Sequence, residues 1–214
     1  MALLADIEFI KLELEKTILE RQSLHWVHVT HIINPHNFYV RKTDYLPFIE
    51  KIESNKPLVK CSSVKIHDFV IVNMSESNEV EKYARGKIIQ MNKESGRLMS
   101  DVFLLDYGDI KKLVPIENIW ICDQELHDLP QLTLFCQLAN CAPIGGSTEW
   151  TQKAIEAFKF YVGTERARIN IQDKTMSQLI VELYNTAPDD IATLLALTGF
   201  STLGYVKNDC SILL

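Results

Sequence analysis

Val102-Phe-Leu-Leu-Asp-Tyr-Gly-Asp-Ile-Lys-Lys-Leu-Val-Pro115 is the stretch whose reading decides the fold. Val102 to Leu105 is a short apolar run of strand formers. Tyr107-Gly108-Asp109 is a turn, because Gly108 adopts a positive φ without steric cost. Ile110 to Val114 resumes the extended pattern, and Pro115 ends it where a strand can end. The turn places one ring and two carboxylates, Asp106 and Asp109, within four residues. An aromatic face beside fixed anions suits a cationic ligand.

Working outward, the neighbouring segments form a meander. Phe69 to Asn73 reads as a strand, followed by a polar loop from Met74 to Glu79. Tyr83 to Met91 is a second strand, Asn92 to Gly96 a turn, and Arg97 to Asp106 a third strand. Short antiparallel strands at this spacing indicate a small barrel. Upstream, residues 2 to about 24 read as an amphipathic helix, with Leu3, Ile7, Ile10, Leu14 and Ile18 at three- and four-residue spacing. His25 to Ile33 and Phe38 to Arg41 read as strands around the Asn34-Pro35-His36-Asn37 turn. Asp44 is placed to cap a short helix through about Ser54. Downstream, Thr133 to Cys141 reads as a strand. A helix capped by Ser147 or Thr148 carries Trp150, Ala154, Phe158 and Tyr161. Glu165 to Gln172 and Met176 to Tyr184 read as a hairpin, and Pro188 and Asp189 start a last helix stopped by Gly199. The flanks are each too small to bury a core alone. Together they hold enough strands and helices for a second barrel, which would require the central unit to be inserted into a domain split in sequence.

The composition narrows the function classes. The 214 residues are 47% hydrophobic and 23% charged, with a formal net charge of −6. That balance lacks the basic excess of a dedicated nucleic-acid binder and suits a basic partner. The five cysteines, Cys61, Cys122, Cys136, Cys141 and Cys210, form no CxxC pair, which argues against a disulfide framework or zinc knuckle. The N-terminal segment lacks the basic start of a signal peptide, and no run approaches the ~18 apolar residues of a membrane helix. His25 and His31 would lie about 20 Å apart along a strand, at ~3.3 Å per residue, so the histidines share no metal. No catalytic, metal or cofactor motif is present, so the expectation is no enzyme, no cofactor and no metal.

The order Asn34-Pro35…Phe38-Tyr39-Val40, Asp68-Phe-Val-Ile-Val72, Tyr83-Ala-Arg-Gly-Lys-Ile88, Val102 to Asp109, Pro130, Cys136-Gln-Leu and the Trp150 helix resembles an extended Tudor domain. The resemblance covers about residues 26–206. It implies a mainly β fold with helices: a Tudor barrel inserted into a split staphylococcal-nuclease-like (OB) barrel, plus the N-terminal helix. The implied parts are helix 1–24, first barrel part 25–60, Tudor barrel 61–122, second barrel part 123–206 and tail 207–214.

By the same resemblance the task is binding methylated arginine in Arg-Gly or Arg-Ala tails of Piwi-type Argonaute proteins and spliceosomal Sm proteins, and the expected partner is a Piwi-type tail in germline cytoplasmic granules, the piRNA pathway. Rings box the cation and a side-chain amide accepts its remaining N–H. The cage positions fall on Met74, on Ala84 with Tyr83 in the neighbouring Trp place, on Leu104, and on Tyr107, which is retained. The amide acceptor falls on Asp109. One ring of four therefore remains, and each lost ring forfeits about 0.5–2 kcal/mol of cation–π attraction. An ionised Asp109 is acceptor-only and favours a guanidinium with all its donors. The expected function is a non-catalytic module that binds an arginine-containing peptide without requiring methylation. The alternative is a scaffold with a decayed pocket, acting through the N-terminal helix or a sheet edge as a homodimer or with another Tudor-type protein. A nuclease-like activity would rest on fold analogy alone. No membrane partner or nucleic acid is expected.

Overall fold

The computed structural model describes residues 2–20, 22–75, 80–94 and 96–204. The expected tail after Val206 and part of the 74–79 loop lie outside the described residues. The elements in chain order are α1 (Ala2–Leu19), β1 (Leu24–Asn34), β2 (Asn37–Lys42), α2 (Leu46–Ser54), β3 (Phe69–Asn73), β4 (Tyr83–Glu94), β5 (Arg97–Leu104), β6 (Ile110–Pro115) and β7 (Ile119–Ile121). They continue with α3 (Gln124–Asp128), β8 (Thr133–Leu138), α4 (Gln152–Val162), β9 (Ala167–Lys174), β10 (Leu179–Tyr184) and α5 (Ile191–Leu197).

Two sheets result. β1-β2-β8-β10-β9 close into a barrel, and β6-β5-β4-β3-β7 form a five-stranded sheet. The sequence of the second sheet lies wholly between β2 and β8, so the central unit is inserted into a barrel split in sequence. Two compact units follow, residues 1–19 with 40–134 and residues 20–39 with 135–214; the division falls inside β2 and β8.

In the first unit, the five-stranded sheet follows from alternation. Val70, Val72, Ala84, Ile88, Val102, Leu104, Val114 and Ile119 point to one side and form a buried core. Ile71, Tyr83 and Trp120 form a smaller cluster, with Tyr83 and Trp120 rings edge to face at 5.5 Å. β4 runs very close to β5 at Gly86, where an added Cβ would stand 2.2 Å from Val102 Cγ1. The β7 edge is covered by the chain itself: Cys61 N–H donates to Ile119 O at 3.0 Å and Ile121 N–H to Val59 O at 2.9 Å. α1 buries Ile7, Ile10 and Leu14, the stripe its spacing requires. Lys42 Nζ adds bonds to Glu13 at 2.9 Å and Thr17 at 3.3 Å.

The second unit packs α4 on its barrel. Phe38 of β2 meets Phe158 of α4 edge to face at 5.4 Å, both fully buried. His36 Nε2 lies 2.6 Å from the Cys141 carbonyl, and its ring meets Trp150 edge to face at 5.0 Å. Burial holds the His36 pKa below its ordinary 6.5.

Several element limits differ from the sequence reading. α1 ends at Leu19, not near residue 24, and Leu24 already begins β1. Trp150 precedes α4; the cap is Thr151, whose hydroxyl accepts the Ala154 N–H at 3.2 Å, rather than Ser147 or Thr148. Asp190, not Pro188 or Asp189, caps α5 by accepting the Thr193 N–H at 3.1 Å. α3 was not foreseen; it is short and held by the Asp123 side chain accepting the Leu126 N–H at 2.8 Å.

Candidate functional site

The site is built on the turn from β5 to β6. Gly108 sits at φ +75°, and its N–H donates to Leu104 O at 2.8 Å, while Leu104 N–H donates to Asp109 O at 2.8 Å. That crossed pair fixes a tight turn with Asp106 directed inward and Asp109 outward.

Asp106 is almost wholly buried, and so is Arg85 of β4, its partner. Arg85 Nε donates to Asp106 Oδ2 at 2.9 Å and Nη2 to Oδ1 at 2.6 Å, a bidentate fork. Arg85 Nη1 donates to the carbonyls of Leu126 and Leu129 at 2.7 Å each, and Nη2 to Pro130 O at 2.9 Å. All five guanidinium N–H donors are therefore engaged. Pro130 and α3 owe their place to this arginine, whose removal would strand three carbonyls and a carboxylate.

Tyr107 is half-buried and held at both ends. Its hydroxyl donates to Glu53 of α2, and Arg41 of β2 lies over its ring, 5.2 Å from the centroid. Arg41 Nη1 also donates to the Asp106 backbone O at 2.7 Å. Burial, reinforced by the Glu53 carboxylate, pushes the Tyr107 hydroxyl pKa well up, so it remains a donor. Glu53 in turn lies 3.3 Å from Lys82 Nζ.

The six sequence-predicted site residues fall into three groups. Met74, Ala84, Leu104 and Tyr107 meet in the larger core cluster of the five-stranded sheet. Ala84 and Leu104 are fully enclosed there, while Met74 and Tyr107 are half-buried at its margin. Tyr83 belongs to the other cluster, and its hydroxyl donates to Glu81 at 2.7 Å. Asp109 is exposed, its Oδ1 accepting the Ile110 N–H at 2.7 Å. The sequence reading missed Arg41 and Glu53, which arrive from β2 and α2. The available signal was the pair of basic residues, Arg41-Lys42, at the buried end of an apolar strand.

The Tudor domain family model matches residues 21–140. Among curated proteins the chain is 27% identical over 152 residues to human RING finger protein 17, covering 68% of the chain. It is 30% identical over 112 residues to human Tudor domain-containing protein 6, covering 47% of the chain. The chain spans 9% and 5% of these two proteins. Among solved structures it resembles the extended Tudor domain TD3 of mouse TDRD1 in complex with a MILI peptide containing dimethylarginine. There the TM-score is 0.74 at 18% identity, covering 87% of this chain and 96% of that one. It also resembles a variant of the Drosophila melanogaster Papi extended Tudor domain in complex with an unmethylated Piwi N-terminal peptide. That match has a TM-score of 0.72 at 15% identity, over 85% and 100% of the two chains. The inserted sheet, the split barrel, the Tyr107 turn and the match over more than half the sequence converge: the chain belongs to the Tudor domain family and has the fold of its extended form.

Proposed function

We propose that this domain is a non-catalytic recognition module for an arginine-containing tail of a Piwi-type partner in the piRNA pathway. It works in germline cytoplasmic granules and takes the arginine at Asp109, beside Tyr107, without requiring methylation. One observation carries the reading. The only aromatic among the four cage positions, Tyr107, already has Arg41 against its ring and Glu53 on its hydroxyl. The Ala84 and Leu104 positions are aliphatic and enclosed in the core. A dimethylated guanidinium finds no box of rings here, whereas an unmodified one keeps every donor for the exposed Asp109 carboxylate. The Papi extended Tudor variant has been solved with both unmethylated and dimethylated Piwi peptides, so the fold accommodates either form in a relative.

Titration with paired Arg-Gly peptides, unmodified and symmetrically dimethylated, tests the reading. The expected result is equal affinity or a preference for the unmodified peptide, with Asp109→Ala weakening both by about tenfold. A clear preference of the wild-type domain for the methylated peptide overturns it.

A second reading is favoured by α1, where Phe9 and Leu12 remain exposed on a helix whose other face is buried. A groove of about 400 Å³ adjoins Phe9, lined also by Ile10, Tyr45, Pro47 and Phe48 and by the charged Glu13, Asp44 and Lys51. In that reading the domain is a scaffold that pairs through this helix, as a homodimer or with another Tudor protein. Sedimentation of the chain with and without residues 1–24 decides it: a dimer lost with the helix supports the scaffold, and a monomer in both forms removes it.

A further inference from the structure

The outer face of the split barrel carries a second cluster of cations and rings, unrelated to the Tyr107 turn. The register pairs Trp26 of β1 with Arg168 of β9, and Arg168 with Tyr184 of β10. The Arg168 guanidinium lies 5.6 Å from the Trp26 centroid and 5.8 Å from that of Tyr184. Arg166 adds a second cation 4.6 Å from the Trp26 centroid. The result is a ladder of Trp26, Arg168 and Tyr184 across three neighbouring strands, extended by Arg166 just before β9, each step within cation–π range.

Both guanidiniums lie within cation–π range of rings, and among the described residues neither has a carboxylate partner within salt-bridge distance. A guanidinium drawn to a ring by its charge still carries N–H donors for a carboxylate. Trp26 keeps 47% of its surface exposed and Leu24, one rung along, 62%. An exposed arginine, Arg166, and a half-buried one, Arg168, thus stand beside exposed apolar surface in a chain whose net charge is −6.

We propose that this ladder is a docking strip for an acidic, partly apolar peptide segment of a partner protein. The carboxylates would be received by Arg166 and Arg168 and the apolar side chains by Trp26 and Leu24. Charge complementarity selects the occupant. Two arginines can receive carboxylates as bidentate forks, which needs only a short segment. A nucleic acid gains affinity by neutralising many phosphates along a groove, and here the next rung, Leu24–Asn170–Glu182, presents a carboxylate instead of a third cation. Glu182 accepts from Asn170 at 3.0 Å and from the Tyr184 hydroxyl at 2.9 Å, so it is fixed in that rung. The strip is independent of the arginine-binding reading and involves none of its residues.

The test uses the full chain and three fluorescein-labelled probes: a repeating Glu-Leu peptide, its Gln-Leu counterpart and a single-stranded oligouridylate. The Glu-Leu peptide should bind at low salt, weaken as salt is added, and bind more tightly than either other probe. Arg166→Gln with Arg168→Gln keeps most of each stem and should weaken that binding by about tenfold, with the urea unfolding midpoint unchanged. Arg166→Lys with Arg168→Lys checks the same point with charge retained and should bind between wild type and the Gln variant. Absence of binding, equal binding of the Glu-Leu and Gln-Leu peptides, full binding by the Gln variant, or tighter oligouridylate binding lost with the same arginines would each overturn the proposal.

Discussion

Arg85→Met should unfold the chain at a markedly lower urea concentration, corresponding to a loss of about 3–5 kcal/mol. The substitution keeps the unbranched aliphatic stem and removes the buried guanidinium tip. It leaves Asp106 as an uncompensated carboxylate that is almost wholly buried, and it strips donors from the carbonyls of Leu126, Leu129 and Pro130. A buried charge without its partner is far more costly than the pair was beneficial. Adding Asp106→Leu to Arg85→Met should therefore recover part of the loss, because the orphaned charge goes with it. A single-variant loss below about 1 kcal/mol would show that the fork carries little of the fold's stability.

Arg41→Met should have the second largest effect, and it should act on two readouts. Stability should fall by about 2 kcal/mol, the order expected for a hydrogen bond donated by a charged group, here to the Asp106 carbonyl. Peptide selectivity should change as well. With Arg41 gone, the Tyr107 ring loses the cation that occupies it. A dimethylated arginine should then gain about 0.5–2 kcal/mol over its affinity for the wild-type domain, roughly two- to thirtyfold. The Tyr107→Leu substitution, made on the Arg41→Met background, should abolish that gain. Selectivity unchanged between wild type and Arg41→Met in the paired titration would mean that Arg41 does not govern access to the ring.

The sequence made the β5–β6 turn legible because its features are local. A glycine at positive φ, an aspartate on each side and a period-two run all act within a few residues. β3 matches its reading at both ends, Phe69 and Asn73, for the same reason. The Trp150 region went differently: three hydroxyl residues stand close together, Ser147, Thr148 and Thr151, and only the packing of α4 selects which of them caps it. The site was legible in part. Met74, Ala84, Leu104 and Tyr107 could be assigned to one cluster from family resemblance and strand parity. Arg41 and Glu53 could not, since they reach Tyr107 from elements read as ordinary strand and helix. Arg85 was visible in the Tyr83-Ala-Arg-Gly run, yet its five-fold engagement depends on the path of the chain after β7, which no local pattern encodes.

The adjacency of β2 and β8 in the closed barrel has a consequence during synthesis. All five strands of the inserted sheet lie within 69–121, so that sheet has every partner it needs while the ribosome is still adding later residues. The β1–β2 hairpin leaves the ribosome ahead of that sheet but must wait for 43–132 to be translated before β8 exists, on the order of ten seconds at typical elongation rates. The hairpin is thus made before the inserted sheet yet finds its β8 partner after it, and through that interval the nascent chain carries an open hairpin whose Phe38 and Val40 have no core to enter.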